Sequence, residues 1–311
     1  MTLTAIVFNY NYKRFLPDVL TSLVRQTRRP DRIVVSDDAS PRDSLAELQA
    51  AVGQFDGVEL IRNPVNLNNI EHYRARVAEV QTDAYLLMSA DDYLVDDRFC
   101  EQALTVLRDN PKVVAVWGWH VAVDPLGREQ MVRSYPPDRE MTLLPGEQLR
   151  ARLAFDNVVP AVCCVVRNSL HQHIGAYPVL NRHCGDWQQF YLFTYHGDFM
   201  QLERKVCHYR LHGANMSTSY EADAKTGALI AQGYQQLLDR PEITAEDRQR
   251  LLAGMCRSAI RHTPFRQMHR PLVQYGASHK VWLALAETVS ERLARRASDL
   301  RIRLHNQQLK T

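Results

Sequence analysis

Along the first 125 residues, apolar positions switch repeatedly between runs of strand length and stripes of helical spacing. Leu3 to Phe8 is a short apolar run, and Phe15, Leu16, Val19, Leu20, Leu23 and Val24 then recur at helical steps within Phe15 to Gln26. The same reading predicts strands at Arg32 to Ser36, Val58 to Arg62 and Ala84 to Ser89, with helices at Leu45 to Phe55 and Ile70 to Val80 between them. A helix over Arg98 to Asn110 and a fifth strand from Val113 to Trp119 extend the series. Strands alternating with helical patterns of about 10 to 15 residues require parallel pairing through right-handed crossovers, which is a doubly wound α/β sheet. Ligands of such sheets bind beyond the carboxyl ends of the strands. Here those tips are polar: Asn9 and Tyr10, Asp37 and Asp38, Asn63 and Asn66, then Asp91 and Asp92.

After Trp119 the pattern weakens. Asp124 to Leu144 contains Pro125, Gly127, Pro136 and Pro137 and reads as an irregular or hairpin insertion, Val158 to Val166 is a further buried apolar run, and from about Ala222 helical segments dominate. The length of 311 residues suits one large domain or two modest ones, and 45% hydrophobic with 23% charged residues excludes a disordered or fibrous chain. A net charge of +3, from 38 basic and 35 acidic residues, gives no ground for a nucleic-acid partner. No stretch approaches the roughly 18 apolar residues of a membrane span. The start of the chain lacks the basic residues and cleavage site of a signal peptide, so a cytoplasmic protein is expected. Cys100, Cys163, Cys164, Cys184, Cys207 and Cys256 form no C-x-x-C pair and read as reduced packing residues.

Chemistry concentrates at the strand tips. Asp91 and Asp92 follow the apolar Tyr85-Leu86-Leu87-Met88, and adjacent carboxylates at a buried strand end repel each other unless a cation lies between them. Oxygen ligands of this kind suit Mg²⁺ or Mn²⁺; a solvated turn or a helix cap is the structural alternative. Asp37-Asp38-Ala39-Ser40 can accept hydrogen bonds from a base or ribose, or can form an Asx turn.

The succession of strand, N-Y-N, helix ending R-Q-T, strand, D-D-A-S, strand, R-N-x-x-N, helix, strand and S-A-D-D resembles family 2 of the glycosyltransferases over about residues 3 to 220. The resemblance implies a GT-A fold: a Rossmann-like, mostly parallel central sheet with flanking helices. The catalytic domain would occupy residues 1–220, with nucleotide-sugar binding in about 1–125 and the acceptor part in about 126–220. Residues 221–311 would form a C-terminal helical extension. It further implies that Asn9, Tyr10, Asp38 and Asn66 lie at the nucleotide, that Asp91 is the acid on the ribose side, and that Asp92 is the ligand of Mn²⁺ or Mg²⁺. Asp186, opening a helix after Gly185, matches the general base, although a helix cap would also account for it. Tyr209 to Ser217 matches Y-R-x-H-x-x-N-x-S, which implies His212 as a second metal ligand and Arg210 as a phosphate contact; Trp119, Trp187 and His120 would then stand at the acceptor, the tryptophans stacking on a sugar ring, with core packing as the alternative. Three positions depart from the family pattern: Ala90 for an acid, Asn68 for glycine and Gly185 for glutamate.

The implied activity is inverting transfer of a sugar from a nucleotide-diphosphate donor, UDP-linked first among them, to a saccharide or lipid-linked acceptor in bacterial surface polysaccharide or lipopolysaccharide synthesis. A catalytically silent sugar-binding or scaffolding protein of the same fold is the alternative. A sugar nucleotidyltransferase is less well matched, because Asn9-Tyr10-Asn11-Tyr12 lacks the glycines of a triphosphate loop. Residues 280–311 form an amphipathic stripe with seven basic and three acidic residues, a net +4. Such a helix can pack on the catalytic domain, pair in a homodimer or lie on the inner face of the cytoplasmic membrane.

Overall fold

The protein is described by a computed structural model covering residues 1–130, 140–175, 184–213, 215 and 224–262. Its strands are β1 (Leu3–Asn9), β2 (Arg32–Asp37), β3 (Val58–Arg62), β4 (Ala84–Ser89), β5 (Tyr93–Leu94), β6 (Val113–Val123), β7 (Met141–Leu144), β8 (Cys164–Arg167) and β9 (Asp198–Arg210). Its helices are α1 (Leu16–Val24), α2 (Leu45–Val52), α3 (Asn69–Ala78), α4 (Phe99–Asp109), α5 (Gly146–Leu153), α6 (Leu170–Ile174), α7 (Gly185–Phe193), α8 (Ala224–Leu238) and α9 (Ala245–His262). All seven residues of β1 are buried, as a strand covered on both faces must be.

The sheet runs β3-β2-β1-β4-β8-β6-β9-β5, with β7 also on β9. The expected α/β class and the first three crossovers hold: β3, β2, β1 and β4 are parallel throughout. The second half is mixed. β8 runs antiparallel to β4 and β6, while β9 is parallel to β6 and antiparallel to β5 and β7. The apolar run Val158 to Val166 becomes a strand only from Cys164, because Cys163 has a φ of 52° that breaks the extended backbone. The 13-residue β9 escaped the periodicity because Glu203, Arg204 and Lys205 interrupt its apolar positions. One core joins Leu3, Ala5 and Val7 of β1 to Leu16, Leu20 and Leu23 of α1, Leu86 of β4 and Leu107 of α4. All six cysteines are free and buried.

Residues 1–153 with 157–219 form one compact unit, and 154–156 with 220–311 form a second. Within the second, Tyr234 donates to the Ala154 carbonyl at 3.0 Å. The helix expected over residues 280–311 lies outside the described residues. Among those that are described, no helix is long and apolar enough to cross a membrane.

Gly118 fixes the closest approach of the two long strands. A Cβ there would lie 2.1 Å from Val206 Cγ2 on β9, and the β6/β9 register slips on both sides of the adjoining Trp119. Valine is stiff at χ1 and cannot swing away. Gly118→Ala is therefore expected to destabilise the protein by about 1–3 kcal/mol in urea unfolding; a loss below about 0.5 kcal/mol, the scale of a neutral surface change, would refute this close contact.

Candidate active site

β4 ends at Ser89, and the chain turns to place Asp91 and Asp92 at 4% and 1% exposure. Asp92 Oδ1 accepts the Arg210 amide at 2.9 Å. Asp91 accepts the Ser89 hydroxyl through Oδ1, while its Oδ2 accepts Asn215 Nδ2 at 3.1 Å and faces His212 Nε2 at 3.0 Å. Asn215 ties the motif together, accepting the His212 amide and donating to the Arg210 carbonyl at 2.8 Å. The His212 ring stacks on Phe15, with centroids 5.4 Å apart, and meets Tyr12 edge-on at 5.0 Å. Burial, and then the Asp91 charge, push the Asp92 carboxyl well above the usual carboxylate range, against the pull of the Arg210 amide and guanidinium.

A divalent cation fits the chemistry of this donor set. Asp92 Oδ2 and His212 Nδ1 are buried and have no hydrogen-bond partner among the described residues. A carboxylate oxygen and an imidazole nitrogen are suitable ligands, and a bound charge would relieve the Asp91–Asp92 repulsion. Among the described residues, no group of three or more His, Cys, Asp or Glu is already arranged as a metal site. His212 turns Nε2 to Asp91 rather than to Asp92.

The nucleotide-side candidates divide by their occupations. Asn9 is buried, gives Nδ2 to Asp37 Oδ1 at 2.6 Å and accepts the Tyr12 amide at 3.1 Å, so it braces the turn that carries Tyr10. Tyr10 itself is 43% exposed. Asn66 accepts the Asn68 amide at 2.8 Å, shaping the loop in which Asn68 takes a φ of 66°, the backbone expected where the family carries glycine. Asp38 Oδ1 accepts Asn63 Nδ2 at 2.8 Å and the Leu67 amide at 2.9 Å. Its Oδ2 lies 4.0 Å from Nδ1 of His72, whose Nε2 is 2.6 Å from Ser36 Oγ.

Asp186 lies in the first turn of α7, half-buried, with Asn157 Nδ2 at 3.1 Å from Oδ2. Burial pushes its carboxyl upward, opposed by hydrogen bonds from the Trp187 backbone, Asn157 and its own amide. A Cβ on Gly185 would stand 2.5 Å from Ile70 Cδ1 of α3, so α7 docks there because residue 185 has no side chain. Tyr73, one turn beyond Ile70 on the same face of α3, has its ring 4.1 Å from Phe8 at the end of β1. Burial raises its hydroxyl pKa, and the charges of Asp186, Asp91 and Asp92 raise it further.

Other expected residues have different surroundings. Arg210 is 3% exposed, donates to Asp18 Oδ2 at 2.6 Å and places its guanidinium 4.3 Å from the Phe15 centroid, so its charge already has an internal partner. Trp119 donates to Glu203 Oε2 at 2.9 Å, and His120 meets Tyr209 edge-on at 5.9 Å. The acceptor role considered for Trp187 needs correction: the ring is 4% exposed and donates to the Leu153 carbonyl at 2.6 Å, which is core packing. Ser217 lies outside the described residues. The sequence reading passed over His72, Tyr73 and Asn157. The first two share a helix with Ile70, but no local pattern marks Asn157.

His72 is 3% exposed, and burial lowers its pKa to about 4 even though Asp38 pulls the other way. The unfolded chain, with an imidazole near 6.5, then binds the proton that the folded chain refuses. Its stabilising effect is complete above about pH 6.5 and is lost as pH falls toward 4. His72→Asn is expected to flatten the fall in urea-unfolding free energy between pH 7 and pH 4.5; an unchanged slope would contradict a buried neutral His72.

The family described as Glycosyl transferase family 2 matches residues 4–206. A curated relative from Haemophilus influenzae, described as an uncharacterized glycosyltransferase, is 29% identical over 111 residues, which is 36% of this chain and 36% of the relative. The match thus spans about a third of that relative's length. Among solved structures, S. aureus TarS 1-349 in complex with UDP-GlcNAc aligns with a TM-score of 0.62 and 15% identity, over 93% of this chain and 81% of the other. The mannosyltransferase PcManGT from Pyrobaculum calidifontis, in complex with GDP-Man and Mn²⁺, aligns with a TM-score of 0.57 and 12% identity, over 94% and 80%. At such identities these likenesses establish the fold, which is that of GT-A glycosyltransferases. The family match takes in well over half of the chain and contains the sheet, the Asp38 tip and the Asp91-Asp92 pair, and by it the chain belongs to glycosyl transferase family 2.

Proposed function

We propose that the protein is an inverting glycosyltransferase that moves a sugar from a nucleotide-diphosphate donor to an acceptor hydroxyl. The observation that supports this reading best is the buried Asp91-Asp92 pair at the carboxyl end of β4, met there by the Arg210 amide, His212 and Asn215. In this reading Tyr10 and Asp38 face the base, Asn9 and Asn66 hold the loops that present them, and Asp91 lies on the ribose side. Asp92 and His212 would hold Mn²⁺ or Mg²⁺, which when bound supplies positive charge to the diphosphate. Arg210, fixed by Asp18, adds a permanent positive charge beside Asp92.

Asp186 takes the proton of the acceptor hydroxyl as that oxygen forms its bond to the anomeric carbon. The bond from that carbon to the nucleotide diphosphate breaks on the opposite face, so the configuration inverts. Burial raises the basicity of Asp186 above that of an ordinary aspartate, which suits proton acceptance. The donors named for the structural relatives, UDP-GlcNAc and GDP-Man, define the donor class to be tested. The resemblance carries a saccharide or lipid-linked acceptor of bacterial surface polysaccharide synthesis as the acceptor class.

Thermal melting with UDP-GlcNAc or GDP-mannose, with and without Mn²⁺, tests the reading. One donor is expected to raise the melting temperature more with Mn²⁺ present, and Asp92→Asn to remove the metal-dependent part. Asp186→Asn is expected to keep that shift while lowering hydrolysis of the same donor by about 10²- to 10⁴-fold. If no nucleotide sugar changed the melting temperature, a silent sugar-binding protein would be the better account.

A further inference from the structure

We propose that Asn157 is the positioning residue of the Asp186 carboxylate, holding one oxygen by a hydrogen bond from outside the helix so that the other is presented to the acceptor hydroxyl. The proposal rests on the reading of Asp186 as the base, and it extends that reading to a residue from a separate segment of the chain.

The backbone donors to Asp186 come from the first turn of α7, its own amide and that of Trp187, and would serve any acid at this position. They do not fix the plane of the carboxylate, because the terminal torsion of aspartate is broad and roughly two-fold. Asn157 lies in the loop after α5, 29 positions earlier, and donates Nδ2 to Oδ2 at 3.1 Å. It is the one side-chain hydrogen-bond partner of Asp186 among the described residues. With Oδ2 held from outside the helix, the plane of the carboxylate is set by Asn157. Position 185 is glycine, so no neighbouring acid shares the task from there.

The bond also has an electrostatic sign. An amide donor favours the ionised carboxylate and so opposes the effect of burial. Among the described residues, the other titratable groups that feel the Asp186 charge are Tyr73 on α3 and Cys184 just before α7, and burial raises both well above their ordinary values. Both stay neutral from pH 4 to 8, which is a window of about four units. A change in the Asp186 titration on substituting Asn157 therefore reports the hydrogen bond itself.

The full chain, labelled with ¹³C at the aspartate carboxyls, provides a direct test by NMR titration, with the Asp186 signal assigned by its loss in Asp186→Asn. Asn157→Ala is expected to raise the Asp186 midpoint by about one pH unit, the scale of a hydrogen bond to a charged group. Asn157→Asp should raise it further, because it sets a like charge against the carboxylate. Asn157 is exposed, so neither change disturbs the core. In hydrolysis of UDP-GlcNAc or GDP-mannose, the acid limb of kcat should move with the midpoint while the donor KM stays constant. A midpoint unchanged in both variants, with Asp186→Asn inactive, would overturn the assignment of Asn157 alone. Hydrolysis at the wild-type rate by Asp186→Asn would overturn the base reading and this proposal with it.

Discussion

Two carboxylates side by side at the buried end of an internal strand are the constraint around which this structure is arranged. Left in the interior without partners, Asp91 and Asp92 would cost several kcal/mol. The chain brings β9 and the segment after it to them: the Arg210 amide to Asp92, and His212 and Asn215 to Asp91. The cost is only partly offset, as the raised Asp92 carboxyl shows. A bound cation would relieve the remaining repulsion.

A single helix then relates the parts of the site. Ile70 receives the start of α7, His72 stands beside Asp38, and Tyr73 packs on Phe8 of β1. Residues three apart on α3 thus pack against α7 and β1, and His72 between them faces the Asp38 tip. A shift of α3 would disturb all three, which gives the close Gly185 contact a functional meaning as well as a packing one.

The arginine at position 210 illustrates how tertiary context changes a residue's reading. By sequence it is a cation in a motif beside the phosphates. In the fold its guanidinium lies over Phe15 and bonds Asp18, so it acts as a fixed, already paired charge. Trp187 moved further, from a candidate sugar platform to a core side chain with its N–H satisfied by Leu153.

What the sequence determined by itself was local. The period of apolar residues set β1 to β4 and the helices between them, and the rule that parallel sheets bind at their carboxyl ends drew attention to Asp38, Asp91 and Asp92. Even the left-handed backbone at Asn68 was legible, because few residues tolerate it. The tertiary structure alone decided the order of β8, β6 and β9, since antiparallel insertion leaves no periodic mark and the charged centre of β9 hides its strand character. It also decided which polar side chains meet. Asn157 and Asp186 are 29 positions apart, and Asp91 and His212 are 121 apart; pairings at such separations depend on where the chain returns, which no local pattern records.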